Sequence, residues 1–249
     1  MLYPLSILSL LLLALIHLTH GHNQRHSHGL QPSQQILSPD SIPYQTRVFW
    51  MRKANAALAE LASPCPFGAF GSVVVNHTDT SSDPKGRLVC MSVNQNMQKG
   101  NPTLHGEISE INNCSEILTA PDGDYRLSTS EALKAFSKLS LYTNAEPCPM
   151  CASAIRWSGF AECIYGTSIE TLVDKGWGQI SIYSYEVFEE STNLPGRTKL
   201  VPDVLANETD PFFSWQFDPQ YSCPKGCVRT GEDKSCQEIE RRFDRELRR

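Results

Sequence analysis

Apolar residues recur at intervals of three and four along residues 41–64, and this spacing predicts a long helix with one buried face. Pro64 marks its end, because proline does not continue a helix. Two apolar runs come next, at 66–75 and 87–93, and the residues between them are mostly Thr, Ser, Asp, Pro and Gly. This pattern predicts two strands joined by a surface loop.

The rest of the chain alternates between helical and extended patterns. Helices are predicted at 104–118, 131–139 and 148–159, and strands at 140–145, 161–166 and 180–188. Alternation of this kind is typical of α/β proteins and predicts a three-layer α/β/α sandwich on a mixed sheet. We assign the folded domain to 41–190, and a C-terminal extension with a cysteine cluster and a charged helix to 191–249.

The N-terminal segment differs in character from the rest of the chain. Residues 5–18 form an apolar run that is short for a bilayer span but suits the core of a signal peptide, and Thr19 and Gly21 supply the small residues of a cleavage site. We therefore predict a signal peptide at 1–21 and, from its His, Gln, Ser and Pro content, a disordered linker at 22–40. No Lys or Arg precedes the apolar run, which leaves an uncleaved anchor as the alternative.

Sequons and cysteines both favour export. Asparagines that are potential glycan acceptors lie at Asn76, Asn113 and Asn207. The nine cysteines suit an oxidising compartment, and Cys163, within an apolar stretch, is predicted to be a buried free thiol. Disulfides are expected to substitute for a core in the tail, among Cys223, Cys227 and Cys236. Together these features predict a secreted glycoprotein with no membrane span once the leader is removed.

The overall charge disfavours a nucleic-acid partner. The chain has 22 Lys and Arg against 27 Asp and Glu, a net charge of −5 and a pI near 5.8. Such a chain has no global positive field that would attract RNA or an anionic membrane, although a local basic groove is not excluded. The composition therefore favours a small-molecule substrate.

Two short segments carry the residues best suited to chemistry. One is His105-Gly106-Glu107, and the other contains Cys148 and Cys151 in a Pro-flanked Cys-x-x-Cys sequence at the start of a predicted helix. The positive end of a helix favours the thiolate form that metals bind. One imidazole and two thiolates leave a fourth position of a tetrahedral zinc ion open, which is typical of a catalytic site.

Glu107 is placed to move protons beside that metal. A water in the open position becomes a hydroxide nucleophile near neutral pH. Glu107 would accept its proton and pass it to a ring nitrogen and then to a leaving amine. The alternative interpretation is a carboxylate that only stabilises a helix N-terminus.

Other interpretations of the cysteine pair are weaker. Cys148 and Cys151 would form a disulfide or a redox pair in some proteins, but that does not account for the His-x-Glu segment. A structural zinc site would need a fourth ligand. The other histidine of the predicted domain, His77, lies in a sequon and is expected to be exposed, which leaves His105 as the third ligand.

The His-x-Glu and Pro-Cys-x-x-Cys segments together resemble the signature of zinc nucleobase deaminases. We identify a resemblance to the cytidine deaminase-like superfamily over about 41–188. The run NPTLHGE at 101–107 is similar to the Asp-Pro-Thr-Ala-His-Ala-Glu run of guanine deaminases and bacterial-type tRNA adenosine deaminases. EPCPMCA at 146–152 is similar to their second motif. The resemblance implies a five-stranded mixed sheet, a Zn²⁺ cofactor and a homodimer or larger assembly.

The resemblance also implies residues that contact the substrate, namely Asn94, Gly106, Glu146 and Pro147. The sequence departs from the family pattern in three places. Leu104 replaces a small residue before the metal-binding histidine, extra residues lie around 122–135, and Gly178-Gln179 stands where guanine deaminases carry an acidic pair. Trp157, Trp177 and Tyr183 are candidates for stacking on a base, although such aromatics are more often core residues.

These observations predict a secreted, zinc-dependent hydrolytic deaminase that removes an exocyclic amine from a nucleobase or nucleoside, with a purine base such as guanine favoured. Two alternatives stay open. One is deamination of tRNA adenosine, and the other is a secreted binding protein that keeps the fold without turnover.

Overall fold

The structure, a computed structural model, describes residues 42–230 and 235–239. The helices are α1 (Tyr44–Leu61), α2 (Asn96–Lys99), α3 (Gly106–Thr119), α4 (Thr129–Ala135), α5 (Pro149–Ser158), α6 (Ile169–Asp174), α7 (Ser184–Glu190) and α8 (Ala206–Thr209). The strands are β1 (Gly71–Asn76), β2 (Arg87–Val93), β3 (Ser140–Ala145), β4 (Glu162–Thr167), β5 (Lys199–Val201), β6 (Cys227–Thr230) and β7 (Ser235–Glu238). No helix in this part of the chain is long and apolar enough to cross a membrane.

Five strands form one mixed sheet in the order β2-β1-β3-β4-β5. Strand β1 is antiparallel to both β2 and β3, whereas β3, β4 and β5 run parallel to one another. Helices cover both faces, which confirms the predicted α/β sandwich on a mixed five-stranded sheet. Strands β6 and β7 form a separate antiparallel pair near the C-terminus.

Alternating side chains of the central strands divide the core into two layers. Val73 and Tyr142 pack with Met51 of α1, on one face of the sheet. Val74 and Leu141 pack with α3, α4 and α5 on the other face. Successive residues of a strand point to opposite faces, so the continuous apolar runs of these strands fill both layers.

The prediction of a strand at 180–188 is wrong. Residues 184–190 form α7, which begins after Tyr183, whose main-chain N–H donates to the Glu186 carboxylate at 2.6 Å. Ile180 and Ile182 are exposed, so their spacing does not mark a buried strand face. The fifth strand is β5, whose three residues are too few to produce a readable alternation.

Two other predicted boundaries shift for local reasons. The strand predicted at 66–75 begins at Gly71, where pairing with β2 starts opposite Val93. The helix predicted at 131–139 begins at Thr129, because Ser128 caps it: its main-chain N–H donates to the Glu131 carboxylate at 2.9 Å, and its hydroxyl accepts from the Glu131 N–H.

One disulfide joins the C-terminal segment to the sheet domain, and another lies within that segment. Cys65 pairs with Cys227 and Cys223 pairs with Cys236, and these cysteines surround the buried Trp215. A third disulfide, between Cys90 and Cys114, joins β2 to α3. Cys163 is a buried free thiol, as its apolar surroundings predict.

The sheet itself extends into the predicted C-terminal extension. Strand β5 lies beyond residue 190 and pairs with β4, so the residues that complete the sheet come after that boundary. The leader predicted at 1–21, the linker predicted at 22–40 and residues 240–249 of the predicted charged helix lie outside the described residues.

The contact between α1 and β1 leads to a stability prediction. A Cβ at Gly71 would overlap the main-chain carbonyl oxygen of Ala54, which cannot rotate away. We expect Gly71→Ala to lower the free energy of unfolding by about 1–3 kcal/mol, as overpacking does. Gly178→Ala is the matched control, since a Cβ there meets nothing within 4 Å. Urea denaturation of both variants measures the difference, and equal stabilities would contradict the close packing.

Candidate metal centre

Two helix N-termini place the predicted metal ligands at one edge of the sheet. His105 is the residue immediately before α3, and Cys148 is the residue immediately before α5. Pro149 occupies the first turn of α5, where the missing N–H of proline is harmless. Both His105 and Cys148 have extended backbone angles, so each side chain lies at the positive end of a helix. Cys151, one turn into α5, is buried.

The structure brings His105, Cys148 and Cys151 together. The ligand atoms of all three side chains lie within 4.8 Å of one another. The Cys148 Sγ and His105 Nδ1 are 3.6 Å apart. An imidazole nitrogen and two sulfurs at this separation fit the donor set of a zinc ion that keeps one position for water or substrate.

Electrostatics within the cluster favour a thiolate at Cys148. A hydrogen bond from the Cys151 thiol lowers the pKa of Cys148 to about 4, and the contact with His105 acts in the same direction against the effect of burial. The same contact with Cys148 raises the pKa of His105. Hydrogen bonding to Cys148 and burial raise the pKa of Cys151. The cluster therefore favours the thiolate form of Cys148, which is the form that a metal ion binds.

Glu107 lies beside this cluster in the first turn of α3 and is only 4% exposed. Burial, and then the nearby Cys148, raise the pKa of its carboxyl group to about 7. The Thr143 hydroxyl, on β3, donates a hydrogen bond to Glu107 Oε1 at 3.5 Å. A buried carboxyl group that is held next to the metal ligands is in the position that proton transfer requires.

The residues predicted to contact substrate have different surroundings. Asn94 comes directly after β2, and its side-chain oxygen accepts a hydrogen bond from the Asn96 N–H at 3.0 Å, which is a turn interaction. A Cβ at Gly106 would lie 3.2 Å from the Phe70 carbonyl oxygen, so a small residue is needed there. Pro147 is buried directly before Cys148. Contacts of Asn94, Gly106 and Pro147 with a substrate stay predictions.

Glu146 has a supporting role in the structure. Its Oε2 accepts from the Ile169 N–H at 2.9 Å, and its Oε1 accepts from the Ser184 N–H at 2.9 Å and from the Ser184 hydroxyl at 2.7 Å. One carboxylate oxygen thus binds the N-terminus of α6, and the other binds the N-terminus of α7. These bonds connect the end of β3 to the two helices, and a contact of Glu146 with a substrate stays a prediction.

His77 is half-buried, and the expectation that it is exposed is wrong. Its ring nitrogens form hydrogen bonds with the Lys85 carbonyl oxygen at 2.8 Å and the Tyr142 hydroxyl at 2.9 Å. Burial lowers the pKa of His77. His77 is therefore engaged by the sheet, and His105 is the histidine of the cysteine cluster.

Aromatic residues form a cluster in which Trp177 is the one member that the sequence analysis singled out. Trp177 contacts the rings of Phe67, Phe70, Phe213 and Phe217 at centroid distances of 5.1–6.0 Å. The Phe70 carbonyl oxygen accepts from the Asn94 N–H at 2.8 Å, which places the cluster beside Asn94. Trp157, in contrast, is 75% exposed and lies outside this cluster. Only the aromatic content of 66–70 and 212–217 signals this cluster in the sequence.

Known proteins match the chain over the same region. A family model described as the cytidine and deoxycytidylate deaminase zinc-binding region matches residues 45–167. Guanine deaminase of Bacillus subtilis is 25% identical over 152 residues, which cover 60% of this chain and 80% of that protein. A probable cytosine deaminase of Schizosaccharomyces pombe is 31% identical over 104 residues, 42% of this chain and 50% of that protein.

A tRNA-specific adenosine deaminase of Rickettsia bellii is 29% identical over 120 residues, 47% of this chain and 68% of that protein. Among solved structures, a guanine deaminase from Nitrosomonas europaea covers 69% of this chain and 82% of its own, with a TM-score of 0.47 and 15% identity. The chain belongs to the cytidine deaminase-like superfamily, a family of zinc-binding deaminases.

The ligand cluster leads to a prediction of metal binding. We expect the protein to bind one zinc ion, and Cys148→Ala or His105→Ala to lower the affinity by more than about 100-fold, because each removes a direct ligand. Cys163→Ala is the control, since this buried free thiol lies outside the cluster. Competition with a zinc chelator measures the affinity. Full zinc binding by the Cys148→Ala protein would show that the metal is held elsewhere.

Proposed function

We propose that this protein is a zinc-dependent hydrolytic deaminase that removes an exocyclic amine from a nucleobase or nucleoside, with a purine base such as guanine favoured. The observation that carries the proposal is the convergence of His105, Cys148 and Cys151 within 4.8 Å, with the buried carboxyl group of Glu107 next to them. A three-ligand set beside a buried acid suits hydrolysis better than structural metal binding.

His105, Cys148 and Cys151 would hold the zinc ion, which in such a site makes a water molecule acidic enough to act as a nucleophile. Glu107 would accept one proton of that water and deliver it to the ring nitrogen of the substrate, and it would then carry the second proton of the water to the departing amine. Thr143 keeps the Glu107 carboxyl group oriented toward the cluster. The products are the carbonyl form of the ring and ammonia.

The choice of a base or nucleoside over RNA is supported by charge and by relatives. A net charge of −5 does not favour RNA binding, which usually needs a basic surface. The guanine deaminase relative is matched over 80% of its length, compared with 50% for the cytosine deaminase relative. Gly178-Gln179 distinguishes this chain from the guanine deaminase pattern, so pyrimidine substrates belong in any assay.

The test is ammonia release by the zinc-loaded protein over a panel of free bases, nucleosides and nucleotides. We expect turnover of one substrate class and a loss of at least about 100-fold in Glu107→Gln, because that variant cannot transfer protons. The variant should still bind zinc, which separates loss of chemistry from loss of the metal. Glu116→Gln, on an exposed position of the same helix, is the matched control and should keep full activity.

The outcomes separate the competing functions. If the protein binds zinc fully but releases no ammonia from any compound of the panel, the proposal of a small-molecule deaminase is rejected. Inosine formation in an anticodon stem-loop, with binding that weakens as salt rises, would assign the protein to tRNA instead. Zinc binding without turnover of any amino-substituted base or RNA would leave a binding protein.

We also propose that the protein is exported through the secretory pathway. The leader pattern and the sequons support this route. Disulfides link six of the nine cysteines, all of which lie within the described residues, and such pairing is favoured in oxidising compartments. The three remaining cysteines include both proposed metal-binding thiols. An exported, active protein therefore has to keep these two thiols bound to zinc, because an oxidising compartment would otherwise favour a disulfide between them.

The structure distinguishes two of the three sequons. Asn207 is exposed in α8, whereas the side-chain amide of Asn113 donates to the Met91 carbonyl oxygen at 2.8 Å and is held against β2. We expect protein secreted from a eukaryotic host to start near residue 22 and to carry a glycan at Asn207 but none at Asn113. Peptide mass spectrometry before and after treatment with an N-glycosidase measures this. Retention inside the cell with an intact leader would contradict export.

A further inference from the structure

Glu110 is a fully buried carboxyl group that the proposed chemistry does not use. It lies in α3, one helical turn after Glu107, and its exposed fraction is 0%. Within residues 42–230 and 235–239, no Lys, Arg or His forms an ion pair with it. An ionised carboxylate without a cationic partner is strongly unfavourable in such a place. Burial without a cationic partner therefore favours the protonated, neutral form of Glu110.

The hydroxyl of Ser72 distinguishes the two protonation states by hydrogen-bond counting. Ser72 Oγ lies 3.1 Å from Glu110 Oε2 and 3.2 Å from the Gly106 carbonyl oxygen. A hydroxyl has one proton to donate, and both of these partners are acceptors when Glu110 is ionised. If Glu110 carries a proton, it donates to Ser72 Oγ, and Ser72 donates to Gly106. Ser72 Oγ and the Gly106 carbonyl oxygen then each accept one hydrogen bond.

The remaining surroundings agree with a protonated acid. Burial raises the pKa of Glu110 well above its ordinary value, although Ser72 and the main chain of Val74 and Ser92 act in the opposite direction. The Cys114 sulfur is 3.9 Å from Glu110 Oε1, but it belongs to a disulfide and has no proton to give. Glu107, on the same helix, adds no positive charge.

We propose that Glu110 is a neutral carboxylic acid at neutral pH and acts as a positioning residue for the metal centre through Ser72 and Gly106. Gly106 separates the proposed ligand His105 from the proposed proton carrier Glu107. A hydrogen bond that fixes its carbonyl group therefore fixes the backbone of both. The protonation state stands on the buried contacts alone, whereas the positioning role rests on the proposed function.

A second hydroxyl on the same face of the sheet completes the arrangement. Thr143 is the cross-strand partner of Ser72, and it donates to Glu107. Side chains of residues paired across two strands lie next to each other. Two adjacent hydroxyl groups thus hold the first turn of α3, one at its backbone and one at its catalytic carboxyl group.

The metal test compares Glu110→Gln with Glu110→Leu. Glutamine keeps a neutral donor toward Ser72, whereas leucine fills a similar volume without one. We expect Glu110→Leu and Ser72→Ala to weaken zinc binding roughly tenfold, as loss of a supporting hydrogen bond does, and Glu110→Gln to stay within about twofold of the parent. Glu116→Gln, exposed on the same helix, is the control. Equal zinc affinities of the leucine and glutamine variants would overturn the positioning role.

Infrared difference spectra test the protonation state independently of zinc and of turnover. In a Glu107→Gln background, which removes the other buried acid of this helix, the protein should show the carbonyl band of a protonated carboxyl group at neutral pH. The band should disappear on adding Glu110→Gln and persist on adding Glu116→Gln. Absence of the band would overturn the proposal. If the zinc and infrared results hold but no substrate is deaminated, the proposed function fails while the role of Glu110 at the metal centre stands.

Discussion

The metal centre depends on the packing of the first turn of α3 against β1 and β3. His105 and Glu107 come from this turn, and the cysteines come from the first turn of α5, so the site exists only where the two N-termini meet. A small residue at Gly106 permits the close approach of α3, because a Cβ at this position would already lie 3.2 Å from the Phe70 carbonyl oxygen. A larger residue would push the turn away from the sheet and separate the histidine from the thiolates. The packing of the backbone thus determines whether the side chains of the site can meet.

This packing buries two carboxyl groups, and the sheet supplies the polar partners that make their burial tolerable. Ser72 and Thr143 lie side by side on β1 and β3, and their hydroxyls contact Glu110 and Glu107. Apolar residues at these positions would leave two buried acids without these partners, at a cost of about 1–3 kcal/mol each. The polar layer therefore stabilises the fold at the place where the proposed chemistry needs an acid that is kept from bulk water.

The His105, Cys148 and Cys151 cluster and the sheet were predictable from sequence, and the supporting residues were not. His-x-Glu and Cys-x-x-Cys are local patterns, and each has a chemical reason for its spacing, so His105 and Cys148 could be found without the fold. Ser72 and Glu110 become neighbours only when β1 packs on α3, and a serine in a strand carries no signal of that contact. The strand predicted at 180–188 failed for a related reason, since alternation without burial does not make a strand.

The C-terminal segment packs against aromatic residues that adjoin the first turn of α3. The disulfide between Cys65 and Cys227 spans 162 residues, and it ties the tail to the entrance of β1. Phe213 and Phe217 from this segment pack on Trp177, whose indole N–H donates to the Phe213 carbonyl oxygen at 3.0 Å. The same aromatic cluster contacts Phe70, which bonds to Asn94 and lies against Gly106. A disulfide thus holds the segment that contributes Phe213 and Phe217 to the aromatic cluster next to Gly106.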